Sequence, residues 1–206
     1  MNKLRYVSAA ALAMAIAVSS GSAAGQAEDR LAQGIEAHNA GLAGDSAKID
    51  EALKLLGPEG WDRPPLALAY HGSAVTLEAS LAKKAGKLIK ALTLIGEGTK
   101  EIDSAATLDP GNIALRLLRI ENSVALVEAS PVNRKPQASG DIACLRTRWP
   151  ELKPEEKAVV DLDSGRLALA DRRLGEAMAS WRASIRDAPD SDAAARARKL
   201  LARYGD

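Results

Sequence analysis

The periodicity of the apolar residues constrains this chain more than any other feature. Between residues 85 and 108, Leu88, Ile89, Leu92, Ile95, Ile102 and Ala105 recur at three- and four-residue steps, the spacing of one face of an α-helix. No stretch alternates apolar and polar residues as a half-buried strand would. The chain has no phenylalanine, while alanine and leucine are abundant. A core without large rings is filled by bringing helix backbones close together, with alanine and glycine at the contacts. The expected fold class is all-α, with about seven to nine helices.

The spacing places helices over 27–42, 46–56, 65–81, 85–108, 110–129, 139–148, 155–170, 173–186 and 192–203. Asp45 stands where an N-cap is needed before the second of these, since its carboxylate can accept a hydrogen bond from an unpaired backbone N–H. GPEGWDRPP (57–65), SPVNRKPQASGD (130–141) and WPELKP (149–154) are rich in helix breakers and read as loops. Gly96 and Gly98 fall inside a helix, where each costs about 1 kcal/mol relative to alanine, so a kink or a packing reason is expected there. Asp109 and Asn112 flank a Pro-Gly pair in LDPGN. They could form the lip of a site, but the simpler reading is a joint between two helices, the second opened by Pro110.

The first residues point to export. Lys3 and Arg5 precede an uncharged run from Val7 to Val18, followed by SSGSAA, the three-part layout of a secretory signal peptide. The run is shorter than the roughly 20 apolar residues a membrane span needs. Cleavage after Ala24 is expected, leaving residues 25–206 as a single domain in the periplasm or secreted; a retained N-terminal anchor is the alternative, and the only membrane contact expected. Losing residues 1–24 removes two basic residues and no acid, turning a formal charge of +1 into −1. That balance lacks the basic excess of a nucleic-acid binder. Cys144 is the only cysteine, so no intrachain disulfide can form, and it reads as a small buried hydrophobe.

Chemistry-bearing motifs are sparse. YHGS (70–73) places His71 and Ser73 two residues apart, on nearly opposite sides of a helix, so they cannot pair as base and nucleophile. His38 is the only other histidine, which leaves too few for a multi-histidine metal site. DLDSG (161–165) opens like a calcium loop, but Arg166 and Arg172 occupy the places that require glycine and a bidentate acid. No metal site, cofactor or catalytic group is expected. Arg116, Arg119 and Asn122 (or Ser123) recur at three-residue steps opposite Leu117, Leu118, Val124 and Leu126. The last helix carries Ala193, Ala194, Ala197, Leu200, Leu201 and Tyr204 on one stripe and arginines elsewhere, as a capping helix (191–204) would.

Counting back from two prolines exposes a repeat. Twelve residues before Pro110 and Pro189 stand Gly98 and Ala177; eight before stand Ile102 and Trp181; five before stand Ala105 and Ser184. Gly165 adds a small residue in the helix preceding Trp181. This small, large, small, proline order resembles the tetratricopeptide repeat, best over 85–110 and 158–191. The prolines lie 79 residues apart, more than two regular units of about 34 residues, so the array is irregular. LAYHGSAVTLEAS and LDPGNIALRLLRIENS are also similar to a group of exported bacterial tetratricopeptide-like proteins. The resemblance implies an irregular helix-pair solenoid whose concave groove docks a peptide or protein segment, as scaffold or adaptor in the cell envelope. It would place Arg116, Arg119, Asn122 and Arg166 towards that groove, with His71 as a further contact. Arginine there could fork onto a carboxylate. A soluble accessory or ligand-binding component of a transport system, or a small periplasmic enzyme, are the other readings.

Overall fold

The computed structural model describes residues 23–205; the expected signal peptide and its cleavage region lie largely outside them. The described residues contain nine α-helices and no strand. The chain divides into two compact units that meet in sequence at Pro110 and Gly111.

The first unit holds α1 (Ala23–Leu42), α2 (Ser46–Leu56), α3 (Pro65–Lys84) and α4 (Leu88–Leu108). The helices α1 and α2 pair, as do α3 and α4, and α3 also packs on α1 and α2. Its core is built from Ala37, Ala52, Leu56, Ala67 and Ala74, with glycines at the crossings. A Cβ on Gly98 would lie 2.4 Å from the Gly72 carbonyl oxygen, and one on Gly72 would lie 2.4 Å from that of Gly98. The two backbones touch there, which is the packing reason for Gly98. Gly96 faces open space. Gly34 and Gly41 of α1 likewise receive Leu56 and Ile49 of α2.

The second unit holds α5 (Ile113–Ala129), α6 (Lys135–Thr147), a 3-10 turn (Trp149–Glu151), α7 (Pro154–Ala170), α8 (Leu174–Asp187) and α9 (Asp192–Tyr204). Helix α7 is its centre, packed on α5, α6, α8 and α9. Trp181 of α8 is fully buried against Gly165, where a Cβ would meet the indole Nε1 at 2.4 Å. The buried Ser184 hydroxyl donates to the Ala158 carbonyl at 2.8 Å, tying α8 to α7. Ala193, Ala194 and Ala197 turn the apolar stripe of α9 inward.

Helix boundaries moved where capping chemistry overrode periodicity. Helix α5 starts at Ile113, three residues after Pro110, because the Asn112 side chain caps it by accepting from the Leu115 N–H at 3.2 Å. LDPGN is therefore a joint, with Asn112 in a structural role. Helix α3 runs on to Lys84, and the turn before α4 needs Gly86 at φ +76°, a left-handed conformation that suits glycine. Helix α6 begins at Lys135, inside the segment read as a loop, with Pro136 in its first turn, where a missing N–H costs nothing. Asp45 caps α2 as expected, accepting from the Ala47 N–H.

Candidate functional site

In the first unit, helix α3 carries His71 to a half-buried position facing α4. Its Nδ1 lies 2.5 Å from Glu101 Oε2, and the Arg63 guanidinium stands 3.7 Å from the other oxygen of that carboxylate. Two surface depressions meet at His71. One, of about 390 Å³, is lined by Asp50, Leu53 and Lys54 of α2 and by Gly57, Pro58 and Glu59 of the following loop. The other, of about 420 Å³, is lined by Leu68 and Val75 of α3 and by Glu97, Lys100, Glu101 and Ser104 of α4. Glu101 orients the imidazole by taking one ring nitrogen as its hydrogen-bond partner. The surroundings mix both signs of charge with leucine, valine and proline, which suits a polar segment with some apolar side chains.

A carboxylate-oriented histidine is also part of a general base, but Ser73 is not its partner. The Ser73 hydroxyl lies 2.9 Å from Nε2 of His38, whose Nδ1 lies 3.2 Å from the Asn39 side-chain oxygen. Hydroxyl, imidazole and amide follow the order of a catalytic triad. His38, however, is only 2% exposed, sits edge-on to Tyr70 at 5.1 Å, and lines neither depression. Burial pushes its pKa down from the usual 6.5 to about 4, partly offset by Asn39. The group is a neutral hydrogen-bonded pair within the core.

In the second unit the arginines close on carboxylates of the chain itself. Asp141 of α6, whose side chain has no exposed surface, is gripped by two guanidiniums one turn apart on α5. Arg116 donates from Nη1 at 2.6 Å; Arg119 donates from Nε at 2.6 Å and from Nη2 at 2.8 Å. This clamp fastens α6 to α5 at a helix pair without a glycine contact: Gly140 has nothing within 4 Å. Arg166 is 7% exposed and forks onto Glu128 of α5 while also holding Asp163 at 2.6 Å. Burial by itself would lower its pKa, but Asp163 and Glu128 outweigh burial and hold it above the usual value. Asn122 is half-buried on α5 and Ser123 fully buried.

Of the five residues expected to meet a partner, Asn122 is half-buried on α5 and the other four fall into three settings. Arg116 and Arg119 share Asp141, Arg166 bridges α7 to α5, and His71 belongs to the other unit beside two depressions. The guanidinium fork that was expected to take a partner's carboxylate is occupied internally at all three arginines. Missing from the sequence reading were the acids: Asp141, Glu128 and Glu101. Asp163 and Arg166 are three residues apart on one helix, a signal visible in sequence; Asp141 lies 22 and 25 residues from its partners, and nothing local announces it. Among the described residues no group of three or more histidine, cysteine or acidic side chains could hold a metal ion, and no helix is long and apolar enough to cross a membrane. No protein-family model matches the chain, and neither does any curated protein or solved structure.

Proposed function

We propose that this chain is an exported helix-pair protein of the tetratricopeptide kind that works by binding, docking a peptide or protein segment as a scaffold or adaptor in the cell envelope. The observation that supports it most is the packing of the repeat positions. Gly98, Ile102 and Ala105 are buried on α4, Ala177, Trp181 and Ser184 are buried on α8, and each set lies against the preceding helix of its pair. Small residues at a helix contact with one bulky residue filling the gap are what the repeat requires. The leader-like N-terminus supports export.

The docking surface we assign is the pair of depressions around His71, because the arginines of the second unit are engaged by Asp141, Asp163 and Glu128. Photo-crosslinking residues placed at Lys54 and at Ser104, one in each depression, test this in intact cells. The expected result is one discrete adduct common to both positions, lost when His71→Ala and Glu101→Ala are combined, and absent from a crosslinker at the exposed Arg182. No adduct, or the same adducts from Arg182, overturns the reading.

A further inference from the structure

The end of the first unit at which α3 hands over to α4 has a surface unlike the rest of the molecule. Eight consecutive residues, Lys83 to Lys90, are exposed. From Ala79 to Gly96 the chain carries four lysines and no acidic residue. Beside these cations stand large apolar side chains that nothing covers: Leu88 is 59% exposed, Ile89 84% and Leu92 48%. The three share one face of α4, since positions three and four apart on a helix are neighbours. The adjoining face of α4 carries Ala91, Ile95 and Gly98, all buried in the unit. The apolar stripe of α4 is therefore broader than packing within its own unit accounts for, and its outer edge is left exposed.

The charges around the patch are also uneven. Lys90 reaches Glu78 at 2.8 Å. Among the described residues no ion pair involves Lys84 or Lys87, which flank the glycine turn immediately before Leu88. Gly86 faces open space, as does Gly96 further along the same face, so other side chains leave this side of α4 clear at both glycines.

We propose that this α3–α4 tip seats the protein on an anionic lipid surface, with Leu88, Ile89 and Leu92 entering the headgroup–acyl boundary and Lys84 and Lys87 meeting lipid phosphates. Lysines bordering a protruding apolar face are the composition of an interfacial element, where burial of apolar area adds to attraction by anionic headgroups. The absence of acids from Ala79 to Gly96 gives the tip the charge complementarity that such a surface demands. The side chains protrude from a helix next to a turn, a shape a fluid interface accommodates, whereas a protein partner would need a matching pocket for each anchor. No described helix is long and apolar enough to cross a membrane; the contact proposed for the tip is with the lipid surface. It is separate from docking at His71 and survives if that reading fails.

An environment-sensitive fluorophore on Ile89→Cys, in full-length protein carrying Cys144→Ala, reads the tip directly and is blind to membrane binding through the N-terminal segment. Vesicles containing phosphatidylglycerol should shift its emission to the blue, phosphatidylcholine vesicles should leave it unchanged, and the same fluorophore on Lys199→Cys should not respond. The combined Lys84→Glu and Lys87→Glu change should weaken partitioning by at least about tenfold, since each lysine near an anionic surface contributes roughly a factor of five. Circular dichroism confirms that this variant keeps its helix content. An unmoved Ile89 probe on anionic vesicles overturns the proposal. So does an unchanged response in the lysine variant, or a shift that grows with protein concentration without vesicles, which would mark the face as an interface between two copies.

Discussion

His38 has a partner on each ring nitrogen, Ser73 at Nε2 and Asn39 at Nδ1, and almost no exposed surface. Protonation would put a charge where solvent cannot reach it, so the folded state holds the ring neutral down to about pH 4 while the unfolded chain protonates near 6.5. The stabilisation is complete above the unfolded pKa and is lost as pH falls through this window. Between about pH 7 and about pH 4.5, the wild-type chain should lose about 2–3 kcal/mol more unfolding free energy than His38→Gln, read by denaturant melts at both values. An equal loss in the two proteins would show that His38 is accessible to protons in the folded state. Glu121 acts in the opposite direction. Burial first, then the charge of Asp163, raise its pKa against the pull of Arg196 and Arg166. Its contribution is present at low pH and is lost as pH rises through the raised folded value.

At the scale of elements, what joins each pair of helices differs along the chain, and the difference is testable. Glycine sets the contact between α1 and α2, between α3 and α4, and between α7 and α8. Gly165→Ala would drive a methyl against Trp181 and the Ala177 carbonyl, 2.4 and 2.8 Å away, and should cost about 1–3 kcal/mol, as overpacking a core does. Gly96→Ala meets only open space and should stabilise by about 0.5–1 kcal/mol through helix propensity. Equal effects in thermal melts would mean that the backbones do not touch at Gly165. The contact between α5 and α6 depends on charge. Asp141→Ala strands two mostly buried guanidiniums and should cost about 3 kcal/mol. Arg116→Leu should cost less, because Arg119 keeps both of its bonds to Asp141. Urea unfolding of the two variants checks that order, and a near-neutral Asp141→Ala would mean that the clamp contributes nothing. Boundaries were the least legible part of these elements. The apolar spacing runs through Ala85 towards Leu88, and only the backbone turn at Gly86 separates α3 from α4.

Over the whole molecule, each unit is organised around one helix that other helices surround: α3 in the first and α7 in the second. A helix buried on most sides shows no single apolar face, and the residues chosen for it are small or paired. Helix α7 buries Asp161, Asp163 and Arg166 along with Val160 and Leu162. The DLDSG stretch opens like a calcium loop in sequence and fails at Arg166 and Arg172; in the fold Asp163 and Arg166 answer each other across one helical turn and Asp161 is answered by Arg146 of α6. The sequence by itself determined the all-α class, nearly every helix, the cap at Asp45, the start of α5 to within three residues, and the buried small and large positions around Pro110 and Pro189. These are local properties, set by hydrophobic spacing and backbone preference within one or two turns of chain. Only the tertiary structure decided what the charged residues do. Asp141 between Arg116 and Arg119, Glu128 on Arg166, Glu101 on His71 and Ser73 on His38 are meetings of residues 22 to 38 positions apart. A long polar side chain carries no mark of its partner until packing brings the two together and excludes water from between them.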